Sequence, residues 1–219
     1  MKTITLGHSV SGFPIMAYEW GEKGPHIFIM SGVHGDEVEG VYVGYRLLGE
    51  FSKNYSYQMK LTLIPFFNPD GILQNRRTNE NLVDLNRNLP TTDWTKSFSK
   101  EKYHPGSKPN SEPENQILVN WIEKNKPQLI ISLHSWKPVI NVNGNCSPEA
   151  EVISQETGYK IVEDIGYPTP GSLGTYTGQE RNIPTITYEV ERGASFRDIL
   201  KLHVPAIKKA LEKSQSRHI

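Results

Sequence analysis

The first twenty residues alternate apolar and polar positions in two short runs, Thr3 to His8 and Pro14 to Trp20, separated by Ser11-Gly12 and closed by Gly21-Glu22-Lys23-Gly24. Period-two alternation with turn residues at hairpin spacing predicts two antiparallel strands. The run His26 to Met30 is nearly all apolar, as suits a strand buried on both faces, and it stops at Ser31-Gly32. From Glu37 to Phe51 the apolar residues Val38, Val41, Val43, Tyr45, Leu47 and Leu48 fall at mixed spacings of three and four, which predicts a partly buried helix. Strand, loop and helix in that order form the βα unit of an α/β fold.

Met59 to Phe67 reads as the next strand, ending at Asn68-Pro69-Asp70-Gly71, and the polar stretch from there to about residue 110 has no clear period. Loops much longer than about 12–15 residues in a compact domain are commonly functional. Ser111 opens an S-E-P-E motif with Glu114 three residues on, a capping-box signature, and Ile117, Leu118, Trp121 and Ile122 carry helical spacing after it. Leu129 to His134 predicts another buried strand, Glu149 to Glu156 a short helix, Pro184 to Val190 a strand, and Phe196 to Lys213 an amphipathic helix. No repeat or low-complexity linker interrupts this order.

Composition narrows the partners. The 219 residues suit a single domain, and 24 Lys and Arg against 24 Asp and Glu give no net charge, so nothing draws the chain to nucleic acid or an anionic membrane. A hydrophobic content of 36% supports a core and excludes the disordered class. The one cysteine, Cys146, excludes a disulfide scaffold and a paired-cysteine zinc site. The opening MKTITLGHSVSG has no apolar run of signal-peptide length, and no segment is apolar enough to span a bilayer. The expectation is a cytoplasmic chain, or a periplasmic one if this is a mature form with an added Met.

The densest chemistry is His34-Gly35-Asp36-Glu37, directly after a predicted buried strand, where open α/β sheets bind ligands. His34 and Glu37, three apart, can converge on one point. A second histidine, His134 in Ser132-Leu133-His134-Ser135, has the same address at the end of another buried strand. Two His and one Glu with an open fourth position form a catalytic zinc set, and the long spacer suits a site assembled across a sheet. His8, His26, His104, His203 and His218 have no partner at ligand spacing and are expected to be structural or on the surface. Cys146 could be set against His134 as a nucleophile, but nothing orients that pair, and GxSxG and P-loop patterns are absent.

Further motifs follow in order. They are Asn68-Pro69-Asp70-Gly71, an R-x-N at Arg77 to Asn79, a D-x-N-R-N at Asp84 to Asn88, a G-S-x-G at Gly171 to Gly174 and an I-T-x-E at Ile186 to Glu189. Together with the HxxE pair and the later S-x-H-S, they make residues from about 26 to 190 resemble the zinc carboxypeptidase family. Leu82 stands where that family often has Gly, and Leu89 where it often has an aromatic, which bears on loop shape and not on chemistry.

The resemblance implies a mixed parallel and antiparallel twisted sheet flanked by helices. It implies one zinc ion held by His34, Glu37 and His134, with Asp84 accepting a hydrogen bond from the first histidine. Glu189 would be the general base. Thr187, Glu189 and Glu191 alternate on one strand face, so Glu191 competes for that role, and motif register favours Glu189. Arg77 would stabilise the oxyanion, with Arg76 a solvated neighbour. Asn86 and Arg87 would clamp the terminal carboxylate of a small peptide substrate. Tyr167 lies near a mobile tyrosine of the family, and Leu173 near its side-chain specificity position.

The S-E-P-E and Y-P-T-P-G-S-L-G stretches look like the bacterial murein tripeptide amidase branch, which implies cleavage of the amide between γ-D-glutamate and meso-diaminopimelate. A pocket for that zwitterionic residue needs polar groups, for which Arg192, Gln179 and Glu180 are candidates. A general carboxypeptidase would share the site. Deacylases of N-acyl amino acids share HxxE and DLNR but not the NPDG and I-T-x-E context. A non-catalytic peptidoglycan-peptide-binding relative would be expected to lack a ligand or the base, and none is missing.

Overall fold

In the computed structural model, which describes residues 1–217, the sheet is built outward from β3 (His26–Ser31). All six of its residues are buried because both of its faces are covered. Ile27 and Ile29 enter a core with Val43, Leu47 and Phe51 of α1 (Val38–Lys53) and Ile207 and Leu211 of α6 (Val204–Arg217). Phe28 and Met30 enter a second core with Leu118, Trp121 and Ile122 of α3 (Pro113–Asn125), where the Phe28 and Trp121 ring centroids lie 4.5 Å apart. Period-two alternation on one strand thus feeds two cores on opposite faces.

The remaining strands are β1 (Lys2–His8), β2 (Pro14–Trp20), β4 (Lys60–Ile64), β5 (Leu129–Trp136), β6 (Val139–Asn143), β7 (Lys160–Val162) and β8 (Thr185–Glu191), in the order β1-β2-β4-β3-β5-β8-β6-β7. β4, β3, β5 and β8 run parallel, while β2 and β6 pair antiparallel with the flanks of that block. The sheet is mixed, as the sequence leads one to expect. α2 (Pro69–Leu73), α4 (Ser147–Thr157) and the short α5 (Phe196–Asp198) complete the helices. No helix among the described residues is long and apolar enough to cross a membrane.

The chain leaves β3 toward β4 on one side and later returns to β5 on the other, so the connection order reverses between β3 and β5. That switch point is where an open sheet leaves a crevice beyond its strand ends. On β5 and β8 the positions Leu129, Ile131, Leu133, Ile186, Tyr188 and Val190 fill the α1-side core. The alternate positions Ser132, His134, Thr187 and Glu189 face the other way, and His134 is the register partner of Glu189.

Several expectations need correction. β6 and β7 are not anticipated, because Val139–Asn143 follows the β5 turn at once and Lys160–Val162 has only three residues. α3 begins at Pro113 after Glu112, without a side-chain cap. Pro at the first turn already presets the backbone. Ser111 donates instead to Glu112 Oε1 (2.6 Å), and Glu114 accepts from the Val10 N–H (3.1 Å) and Asn79 Nδ2 (3.1 Å). β4 stops at Ile64 because Pro65 has no N–H for the ladder. The C-terminal helix is not continuous α: a π-helical turn, Ile199–His203, joins α5 to α6.

The other histidines lie apart from the switch point. His26 and His203 are buried, and desolvation lowers each pKa to about 4. His26 bonds Thr62 Oγ1 (2.9 Å) and His203 bonds the Tyr188 hydroxyl (2.5 Å). His8 is exposed, His104 packs edge-on against Phe98, and His218 lies outside the described residues. Cys146 is buried with its thiol pushed up to about 11 by desolvation, which leaves it inert.

The loop 32–37 is seated on the turn at Asn68–Gly71. Asn68 Oδ1 accepts from Gly71 N (2.9 Å) while its Nδ2 donates to Val33 O (3.2 Å), and Asp70 receives Ser9 Oγ and Ser11 N (both 3.1 Å). A Cβ at Gly35 would lie 1.9 Å from the Gly71 carbonyl carbon, backbone against backbone. Gly35→Ala should therefore cost about 1–3 kcal/mol or more in urea unfolding. Gly49→Ala, on α1 with nothing within 4 Å, should gain about 0.5–1 kcal/mol. Equal midpoints for the two variants would refute this seating.

Candidate active site

His34 and Glu37 leave the β3 end in one short loop, and Glu37 sits at the N-cap of α1; His134 projects from the C-terminal end of β5. All three are buried, and their ligand atoms lie within 4.8 Å of one another. Glu37 places Oε1 2.8 Å from His34 Nδ1 and Oε2 2.8 Å from His134 Nδ1, with the two Nδ1 atoms 3.2 Å apart. Each ring's outer nitrogen has its own acceptor: His34 Nε2 lies 3.0 Å from Asp84 Oδ1, and His134 Nε2 lies 3.0 Å from Ser132 Oγ. Donation of Nε2–H outward directs both Nδ1 lone pairs at the centre. Two lone pairs and a carboxylate at that separation repel unless a cation is shared among them, so the donor set fits a divalent metal of the zinc type.

The surrounding charges fix this geometry. Asp84 Oδ2 accepts from Arg77 Nε (2.9 Å), and its Oδ1 also accepts from Asn86 N (2.9 Å). Burial alone would raise the Asp84 pKa, but Arg77 and His34 hold it well below the usual carboxylate range. Arg77 Nη1 reaches Glu37 Oε1 at 3.2 Å, and both Arg77 and Arg87 lie over the Tyr103 ring, at 5.3 and 5.7 Å. Arg76 pairs outward with Glu80 (2.8 Å).

Glu189 stands beside His134 on β8. Its Oε2 is sealed from solvent without a hydrogen-bond partner. Desolvation pushes its pKa up to about 7 and Glu37 adds to the rise, while His134, Arg77 and Arg192 oppose it. Glu191, the competing residue, is exposed at the strand end and lies outside the cleft, its N–H donating to the Tyr159 hydroxyl (3.2 Å).

His34, Glu37 and Glu189 open into a cleft of about 960 Å³, which Arg77, Asn86, Arg87 and Tyr167 also line. Asn86 Oδ1 accepts from Leu173 N (2.8 Å), and Arg87 Nη1 donates to Asn86 O (2.7 Å). Tyr167 packs edge-on against Trp136 at 5.6 Å. Leu173 does not reach the cleft: it is buried in the α3-side core. The deep wall is polar, with Asn141, Asn143, Thr175 and Thr187. Gly174 and Gly178 make room for Asn143, since a Cβ at either would lie 2.3 Å from its Oδ1 or 2.4 Å from its Cβ. Gln179 and Arg192 line the cleft, whereas Glu180 is turned to Thr92 Oγ1 (2.8 Å) and Arg181 (3.4 Å). Tyr103, Trp136 and the two asparagines are cleft residues that sequence reasoning missed. The alternation in Val-Ile-Asn-Val-Asn was a usable signal for the asparagines, and Tyr103 offered none.

The chain is similar to known proteins in sequence and in fold. A family model described as zinc carboxypeptidase matches residues 1–198. Murein peptide amidase A of Vibrio campbellii is 32% identical over 202 residues, covering 85% of this chain and 78% of that protein. The Escherichia coli protein of the same name is 30% identical over 172 residues, covering 74% and 69%. Among solved structures, murein-tripeptide amidase MpaA from Escherichia coli O157 superposes with a TM-score of 0.79 at 26% identity, covering 96% of this chain and 92% of that one. Carboxypeptidase A from Helicoverpa armigera shares the fold, with a TM-score of 0.82 at 17% identity over 99% of this chain and 68% of that one.

The converging donors predict one tightly held divalent ion per chain. Metal analysis after dialysis should give one equivalent for the unaltered protein and near zero for His134→Ala with its fold intact. Asp84→Ala, which acts through His34, should weaken the affinity about 10–100-fold. Full retention by His134→Ala would rule out the triad as the metal site.

Proposed function

Because the chain belongs to the zinc carboxypeptidase family, whose members are peptidases and amidases, we propose that it is a zinc-dependent hydrolase removing a C-terminal residue from a murein peptide. The observation that carries the chemistry is Glu189 Oε2, sealed from solvent and unpartnered, on a residue that lines the open cleft beside the His34, Glu37 and His134 donor set. Zinc in that set supplies Lewis-acid polarisation of a carbonyl and lowers the pKa of a water it binds to about 7. Glu189 takes the proton of the attacking water and returns it to the leaving amine. Arg77, already aligned by Asp84, donates to the oxygen where negative charge develops. Asn86 and Arg87 receive the substrate's terminal carboxylate, and Tyr167 covers it from the Trp136 side.

The substrate proposed is the tripeptide L-Ala-γ-D-Glu-meso-diaminopimelate, cut at the γ-D-glutamyl amide. Support comes from relatives named murein peptide amidase A and from the polar cleft wall. Diaminopimelate carries a second amino and carboxyl centre, and an apolar pocket would strip that centre of water without replacing its hydrogen bonds. The amides of Asn141 and Asn143 and the hydroxyl of Thr187 offer both donors and acceptors.

Glu189→Gln should abolish turnover while retaining the metal, since Gln keeps the shape and cannot take the proton. Activity of that variant comparable with the unaltered enzyme would dismiss Glu189 as the base. The base must be ionised, so kcat/KM should fall as pH drops through its pKa; the charge of a bound cation opposes the burial that sets about 7, and the acid limb should lie at or below that value. A kcat/KM that stays level or rises as the pH is lowered from 7 to 4, in an enzyme that keeps its metal and fold over that range, would contradict it.

Amidation of the substrate's C-terminal carboxylate should cost activity steeply, and Arg87→Lys should not restore the paired hydrogen bonds that Arg makes. Equal rates on free and amidated substrates would indicate an endopeptidase or a deacylase. Mass spectrometry of the tripeptide, its lysine analogue and ordinary L-peptides then separates substrates: release of diaminopimelate alone is the expected result. Preference for ordinary C-terminal residues would move the chain to general carboxypeptidases.

A further inference from the structure

Arg192 lines the same cleft, and the sequence offers it only as a candidate polar group for the diaminopimelate pocket. Its backbone N–H donates to Trp136 O (2.9 Å), which fixes it at the end of the β5–β8 ladder. Its guanidinium lies over the donor set: Nη2 is 3.9 Å from Glu37 Oε1, the same oxygen that Arg77 approaches from another segment of the chain. The two arginines differ in commitment. Arg77 is largely buried and bonded to two carboxylates at 2.9 and 3.2 Å. Arg192 is 46% exposed at its side chain, and its two hydrogen bonds, to Asp36 Oδ2 and Ser135 O, are long at 3.4 and 3.3 Å. A guanidinium has five N–H donors, so most of those of Arg192 are free to meet a ligand.

We propose that Arg192 binds the free α-carboxylate of a γ-linked glutamyl residue on the acyl side of the scissile bond, and so selects isopeptide over ordinary peptide substrates. This rests on the γ-glutamyl reading above and adds to it the group that recognises the linkage. In a γ-linked glutamate the carboxylate carbon stands four bonds from the reacting carbonyl carbon, a reach of about 5 Å when extended, from standard C–C lengths. In an ordinary α-linked peptide the backbone places an uncharged amide in that region, and only a glutamate side chain puts a carboxylate at the same four-bond distance. A partly free guanidinium next to the donor set therefore meets an anion in every γ-linked glutamyl substrate and, among α-linked ones, only where that residue is itself glutamate. Planar, bidentate pairing with a carboxylate is the contact that Arg makes and Lys does not. Asp36, 3.4 Å from Nη1, orients the fork and leaves N–H groups that a carboxylate ligand can take.

The test pairs a change in the enzyme with a change in the ligand, using metal-replete protein. The substrates are L-Ala-γ-D-Glu-meso-diaminopimelate and its analogue with the glutamyl α-carboxylate converted to the primary amide. Amidation should slow the unaltered enzyme about 10–100-fold in kcat/KM, the range for a charge-assisted hydrogen bond. Arg192→Gln should lose a similar factor on the acid, the two changes together should cost no more than either alone, and Arg192→Lys should recover part of the loss. Calorimetric titration of the Glu189→Gln protein should show the same discrimination in Kd without turnover. Metal content and melting of Arg192→Gln guard against an indirect loss, and the comparison of substrates on the unaltered enzyme decides the matter even if that variant fails to fold. Equal rates on acid and amide, or losses that simply add, would overturn the role of Arg192 and leave the murein reading standing. Cleavage of neither γ-glutamyl peptide would overturn both.

Discussion

The buried carboxylate of Asp84 is the contact on which the site's geometry depends. Its two oxygens receive the outer nitrogen of His34, the Nε of Arg77 and the backbone N–H of Asn86. One side chain therefore fixes the orientation of the His34 ring, aligns the Arg77 guanidinium and starts the turn Leu85–Arg87. Because Asp84 is fully buried, removing any of these partners would leave a desolvated charge, which costs more than the hydrogen bond itself contributes. The long segment without regular structure holds a defined course for the same reason. Asp84 N donates to His104 O (2.8 Å), and Asn88 Nδ2 reaches Pro105 O (2.7 Å) and Lys108 O (3.0 Å).

Charge balance explains why this cluster can exist beside two apolar cores. Glu37, Asp84 and Glu189 bring three carboxylates together with one strongly committed guanidinium, Arg77, and two imidazoles. With the rings neutral the group is left doubly negative, a state that burial disfavours and a divalent cation relieves. Burial, with the charge of Glu37 added to it, raises the pKa of Glu189 against the opposing pull of His134, Arg77 and Arg192. The cluster is affordable only because the sheet ends there: the same strands that bury Ile29, Ile131 and Tyr188 on one face turn His134 and Glu189 toward an open crevice.

The sequence was legible where one element decides its own structure. The all-apolar β3, the amphipathic α1 and the β1–β2 hairpin are local patterns, and the structure has them within a residue or two of their expected ends. The addresses of His34 and His134 followed from strand ends alone. The rest depended on tertiary context. Ser111 and Glu114 read as a capping box, but Glu114 is drawn into a buried network with Asn79 and Val10 that no local window contains. β7 is three residues long and exists because β6 offers it an edge. Glu189 and Glu191 lie on one face of β8 and both still pair with β5, opposite His134 and Trp136, so what separates them is the cleft, which Glu189 lines and Glu191, exposed, does not.

The polar wall of the cleft is shaped by residues packed behind and beside it. Asn143 can occupy its place only because Gly174 and Gly178 lack a Cβ, and those glycines lie four apart on one face of the π-helical turn Gly174–Gln179. That turn is in turn pinned by Thr177, whose hydroxyl bonds Leu173 O (2.6 Å) and Thr185 Oγ1 (2.6 Å) on β8. Leu173, expected in the pocket, is the anchor that buries the start of the turn in the α3-side core. An apolar side chain thus sets the depth of a polar wall from beneath it. Amides at that depth can present either a donor or an acceptor to whatever enters, so the wall accommodates a charge of either sign without burying a fixed charge of its own.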